Sequence, residues 1–153
     1  MNAGVAKTWI GSDLKRHEDF RLLTGQGQYV DDMSLPHQWH LAILRSPHAH
    51  AHIRRIDSRA ALALPGVEAV VAGDVAQRRC RPFGVAGKVR YYPMAIDRVR
   101  FVGEPVAVVA ARDRYMAEDA LDLIEVDYEP LPPVMDMERA LDQETPILHD
   151  DIG

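Results

Sequence analysis

The chain has 153 residues, 47% of them hydrophobic and 27% charged, which excludes disorder and collagen-like repeats and suits one domain (or one and a small appendage) with a real core. Its single cysteine, Cys80, excludes an internal disulfide and any metal site built on several thiolates. The net charge of −5 is unevenly spread, +6 over residues 1–112 and −11 over residues 113–153, a polarity that suggests a charged partner surface or two faces of one fold held against each other.

In chain order, Ile10 to Leu35 is turn-rich, with Thr24-Gly25-Gln26-Gly27, Asp31-Asp32 and then Pro36. Two glycines two apart ahead of Tyr29-Val30 predict a tight turn with φ above zero that feeds a short strand. Trp39, Leu41 and Ile43 alternate with His40, Ala42 and Leu44, which predicts a largely buried strand over Trp39 to Arg45. Ser46-Pro47 ends it, because proline lacks the amide donor and biases its predecessor. Asp57 or Ser58 is an N-cap for a helix that Ala60 to Leu64 propagates and Pro65-Gly66 stops. Val67 to Ala72 reads as a β-rich run and Gly73-Asp74 as a turn. Ala76 to Tyr92 is polar, basic and broken by Pro82, Gly84 and Gly87, the pattern of a long loop. Arg98 to Val102 and Val106 to Ala111 read as strands separated by Gly103-Glu104-Pro105, the second buried on both faces. Asp113 caps a helix through Leu123, with Ala117, Ala120, Leu121 and Ile124 on one side and Glu118, Asp119, Asp122 and Glu125 facing outward. Glu125 to Tyr128 alternates as a strand that Pro130, Pro132 and Pro133 end, and Asp136 to Leu141 is a short final helix. This order predicts a mixed α/β (α+β) domain with a mixed sheet and two to three short helices.

The longest nearly apolar run, Val106 to Ala111, is far short of the ~20 residues of a membrane helix. Lys7, Lys15, Arg16, Glu18 and Asp19 surround no apolar secretory core, so a soluble cytoplasmic protein without membrane contact is expected. The basic residues Arg78, Arg79, Arg81, Lys88, Arg90, Arg98 and Arg100 lack a spaced series of stacking aromatics, so no nucleic-acid partner is expected. His48, His50 and His52 would share one face of an extended strand, but spacing indicates neither a fourth ligand nor a carboxylate partner, and no metal site is assigned. Cys80 between Arg79 and Arg81 lacks a positioned base, so no catalytic role is assigned. Gly25-Gln26-Gly27 lacks the third glycine of a dinucleotide fingerprint. The pairs Glu18-Asp19 and Asp31-Asp32 read as caps, turn formers and partners of Arg16, Arg21 or Arg45 rather than acid–base groups. Glu104, between Gly103 and Pro105, either braces its turn or pairs with an arginine across an interface, and bracing is the expected role.

Several stretches, collinear from about residue 10 to residue 151, resemble the N-terminal part of molybdenum hydroxylase large subunits, the family of xanthine dehydrogenases, aldehyde oxidases and aerobic carbon monoxide dehydrogenases. They are Gly11 with Arg16, Glu18 and Asp19; Leu23 to Asp32 with Gly25 and Gly27; Arg45-Ser46-Pro47-His48-Ala49-His50-Ala51; Ala63 to Val67; Val102-Gly103-Glu104-Pro105-Val106-Ala107; and Val126 to Pro132. The resemblance implies an α/β-hammerhead domain over residues 10–153 behind a tail of residues 1–9. It implies a structural or interface role for Arg16, Glu18, Asp19, Gly25, Gly27, Asp32, Arg45, His48, His50, Gly103 and Glu104, with no catalytic, cofactor-binding or metal residue on this chain. The molybdopterin site, the iron–sulfur clusters and the FAD are expected elsewhere in the complete enzyme, and clusters need cysteines that this chain lacks. The partners implied are the molybdenum-domain chain and the iron–sulfur subunit, with self-association when the domain is isolated. A free-standing, non-catalytic interaction or assembly module that keeps the fold is the alternative. The basic loop from Gln77 to Tyr92 matches no family motif.

Overall fold

The protein is described from a computed structural model, which covers residues 10, 11, 13, 15–83 and 89–150. The expected tail of residues 1–9 and positions 84–88 of the expected loop lie outside the described residues. The chain forms two compact units, residues 1–36 and residues 37–153.

In the first unit, α1 (Asp19–Leu23) is held at its start by ion pairs from Arg16 to Asp19 (3.0 Å) and from Arg21 to Glu18 (3.6 Å). It ends in a Schellman arrangement: Gln26 N–H donates to Arg21 O (2.8 Å) and Gly25 N–H to Leu22 O (3.3 Å). Gly25 supplies the left-handed residue such an ending demands, with φ +71°. A Cβ there meets nothing within 4 Å, so conformational strain alone sets the cost. Gly25→Val is expected to lower stability by about 1 kcal/mol, read from the melting temperature; an unchanged melting temperature would show the turn to tolerate a side chain. Gly27 has no positive φ, and its Cβ position lies 2.8 Å from the tip of the flexible Leu22 side chain. The expected strand at Tyr29-Val30 is instead a 3-10 turn at Val30–Asp32. Asp32 Oδ2 accepts the Tyr29 amide at 2.9 Å and so offers this backbone a local partner in place of a ladder.

The second unit contains two three-stranded sheets. The first has the order β1 (His40–Arg45), β5 (Pro105–Ala111), β3 (Val67–Ala72), and the second β4 (Arg98–Val99), β2 (Ala51–Asp57), β6 (Glu125–Pro130). Every described pairing between these strands is antiparallel. The expected α/β class holds, with the strands divided between two antiparallel sheets rather than placed in one mixed sheet.

The helices are short: α2 (Arg59–Leu62), α3 (Gly73–Arg79) and α4 (Arg114–Leu121). α4 starts where the Asp113 carboxylate accepts the Met116 amide at 2.8 Å, an N-cap predicted by sequence. The Ser58 side chain makes no cap bond to α2; Asp57 accepts the Arg59 amide (3.2 Å) and takes guanidinium hydrogen bonds from Arg55 and Arg59. Those bonds, chiefly from Arg59, hold the Asp57 carboxyl well below the usual carboxylate range. α3 occupies the start of the expected loop, its Asp74–Arg78 pair (2.9 Å) spanning one turn and its Gly73 and Ala76 buried. The expected final helix is reduced to a 3-10 turn at Arg139–Leu141, where Asp136 accepts the Glu138 amide.

One core lies between the first sheet and its helices: Ala61 of α2 and Ala117 and Ala120 of α4 meet Ala42, Ala107, Val109 and Ala111. Alanines at these positions bring the helix close to the strands, where any added methyl has to displace a neighbour. The second core joins Ala51, Ala95, Val99 and Val106, and Ile56 and Val126 pack against both. β1 is not the largely buried strand expected, and β5 is not buried on both faces as expected. In β1 only Ala42 is buried, because the helices cover one side of the sheet, and in β5 Val108 and Ala110 stay half-buried between buried neighbours.

Candidate functional site

Two connections carry the chain from one sheet to the other, and they lie against each other. Ser46 to His50 leads from β1 into β2, and Arg100 to Glu104 leads from β4 into β5. Ser46 N–H donates to Glu104 O at 2.9 Å and Gly103 N–H donates to Ser46 O at 2.8 Å, so the backbone ladder continues across both crossovers. Arg45 Nη1 adds a hydrogen bond to Gly103 O at 2.9 Å. Gly103 holds φ +88°, the left-handed conformation that the turn needs there.

The side chains at this junction serve the backbone. Buried Ser46 accepts the His48 amide on Oγ at 3.0 Å, a serine turn that satisfies a donor that the ladder leaves over. Tyr128 of β6 packs its ring at 4.9 Å from that of His48, and its hydroxyl shares a hydrogen bond with Ser46; burial pushes the phenol up from its usual range. His50, 5% exposed, directs Nδ1 to Pro132 O at 2.8 Å, and its carbonyl accepts the Leu131 amide at 2.9 Å. A carbonyl only accepts, so Nδ1 is the donor in this bond, and Nε2 is buried with no hydrogen-bond partner among the described residues. Glu104 accepts the Arg100 and Phe101 amides across its turn.

Burial raises the Glu104 carboxyl above its ordinary value of 4.5. A raised folded-state value means that the contribution of Glu104 to stability is fully present below the unfolded value and is lost as pH rises through the folded one. Relative to wild type, Glu104→Gln is therefore expected to gain stability between pH 4 and pH 7. Urea unfolding at both ends of that range measures it, and a pH-independent difference would contradict it.

Of the eleven residues singled out in the sequence, Arg45, His48, His50, Gly103 and Glu104 meet at this junction. Arg16, Glu18, Asp19, Gly25, Gly27 and Asp32 belong to the first unit, where they shape α1 and its turns. His48, His50 and His52 do not share a strand face as expected: the first two lie in the crossover and only His52 is on β2. Among the described residues, no group of three or more His, Cys, Asp or Glu side chains is gathered to hold a metal ion. Cys80 is exposed at the end of α3, and one thiolate does not fit the ligand set of an iron–sulfur cluster. Ser46 and Tyr128 were not singled out by sequence; Ser46-Pro47 reads only as a strand stop, and Tyr128 only as one step of an alternation.

A cleft of about 560 Å³ opens beside β4, with Tyr91, Met94, Ile96, Arg100, Phe101 and Glu104 among its walls. The segment near residue 150 lies along one side of it. Arg100 Nε donates to Leu148 O (2.8 Å), Arg98 pairs with Asp150 (3.1 Å), and the Tyr91 and His149 rings meet edge-on at 6.1 Å. The segment from Leu148 to Asp150 thus rests on Arg98 and Arg100. The arrangement braces two crossovers and shapes a surface.

Comparison with known proteins gives one family. Residues 24–132 match the model described as "Aldehyde oxidase and xanthine dehydrogenase, a/b hammerhead domain". The carbon monoxide dehydrogenase large chain of Afipia carboxidovorans is 44% identical over 145 residues, which is 94% of this chain and 18% of that one. Among solved structures, quinoline 2-oxidoreductase from Pseudomonas putida 86 is 44% identical with a TM-score of 0.82, over 92% of this chain and 19% of that one. The reconstituted CO dehydrogenase from Oligotropha carboxidovorans is 41% identical with a TM-score of 0.86, over 93% and 18%. The chain therefore spans about a fifth of the length of these relatives.

Proposed function

The chain belongs to the aldehyde oxidase and xanthine dehydrogenase family as its α/β-hammerhead domain, and from that premise we propose that it is one structural part of a molybdenum-dependent hydroxylase or dehydrogenase, inactive in isolation. The family match runs from residue 24 across the boundary between the two compact units, which supports taking residues 10–153 as one domain. The single observation that carries the reading is what the shared motif stretches build. Arg45 to Ala51, Val102 to Ala107 and Val126 to Pro132 converge on a braced double crossover whose polar groups are spent on backbone. Such a junction fixes two sheets relative to each other and gives neighbouring parts of an enzyme a rigid wall.

In this reading molybdopterin, iron–sulfur clusters and FAD reside in the other parts of the enzyme. The partners are the molybdenum-bearing domains and the cluster-bearing subunit, and the assembly is cytoplasmic. Among the described residues no helix is long and apolar enough to cross a membrane, which is compatible with that location. The test is purification of the tagged chain from its source cell, followed by molybdenum and pterin analysis. Stoichiometric molybdopterin in the purified material is expected; its complete absence would promote the free-standing module instead. The purified 153-residue chain alone is expected to retain no visible or fluorescent cofactor, and an absorbing species that survives purification would overturn that expectation.

A further inference from the structure

We draw no further inference here: the strongest candidate, the cleft beside β4 walled by Tyr91, Met94, Ile96, Arg100, Phe101 and Glu104, belongs to the site already described, and nothing in the structure shows what covers it.

Discussion

Replacing Gly73 by alanine is expected to destabilise the protein by about 3 kcal/mol, the upper end of overpacking costs. A Cβ at this first residue of α3 would sit 1.9 Å from Ala95 O and 2.7 Å from Ile96 Cα. Both obstacles are backbone, so no rotamer change relieves the clash. The segment they belong to is itself fixed, because the Ala95 amide donates to Pro105 O at 2.8 Å at the start of β5 and Ala95 is buried in the second core. Relief therefore requires parting α3 from the edge of the second core. Urea unfolding measures the loss, and a change under about 0.5 kcal/mol, the range of ordinary surface substitutions, would show that the two backbones do not meet this closely.

Ala120→Leu is expected to cost about 2–3 kcal/mol by the same physics applied to side chains. Ala120 is fully buried where α4 lies on the sheet, among Ala42, Ala107, Ala111 and Ala117. In a core built from larger residues, three extra carbons can be absorbed by rotamer shifts. Here the buried neighbours are mostly alanines, which have no rotamers to shift, so much of the added volume has to be met by α4 moving outward. The urea midpoint is expected to fall with an unchanged m-value, since the surface exposed on unfolding barely alters. A variant at least as stable as wild type would reveal slack in this interface.

The same features explain which elements sequence reasoning could find. α4 was legible because its cap and its apolar positions are local: Asp113 reaches Met116, and Ala117, Ala120 and Ile124 recur at helical spacing. β3 was legible as a short β-rich run between glycines. β2 was not, and the reason is a bulge. Its register shifts between Ile53 and Arg55, so one extra residue is accommodated and Ile53 and Ile56, three apart, both pack on the second core. That spacing hides the period of two on which strand reading depends. β1 shows the opposite difficulty, since Leu41 and Ile43 on one side and Ala42 and Leu44 on the other are all apolar and nothing local tells which set the helices will cover. The junction was legible only as separate pieces. Arg45, His48, His50 and Glu104 stand out individually, but their meeting depends on which strands pair across a separation of some sixty residues. Arginines 98 and 100 posed a further difficulty: as a composition they suggest a basic surface, whereas the structure engages them with Leu148 and Asp150 of the same chain.

The strand order also sets a timetable for synthesis. Among the described strands β1 finds its partner in β5, with His40 opposite Ala111, and β3 pairs with that same strand. β2 likewise pairs along its length with β6, Asp57 lying opposite Glu125. At roughly 5–20 residues per second on the ribosome, the interval between β1 and β5 is about 3–12 s. Throughout it Leu41, Ile43 and the valines of β3 have no ladder to join, and a nascent chain halted before Val106 has no complete sheet available to it. β1 and β3 are thus obliged to wait, unpaired, for a single late strand that closes the first sheet, a state in which holding by a chaperone protects yield in a way that added stability of the finished fold does not.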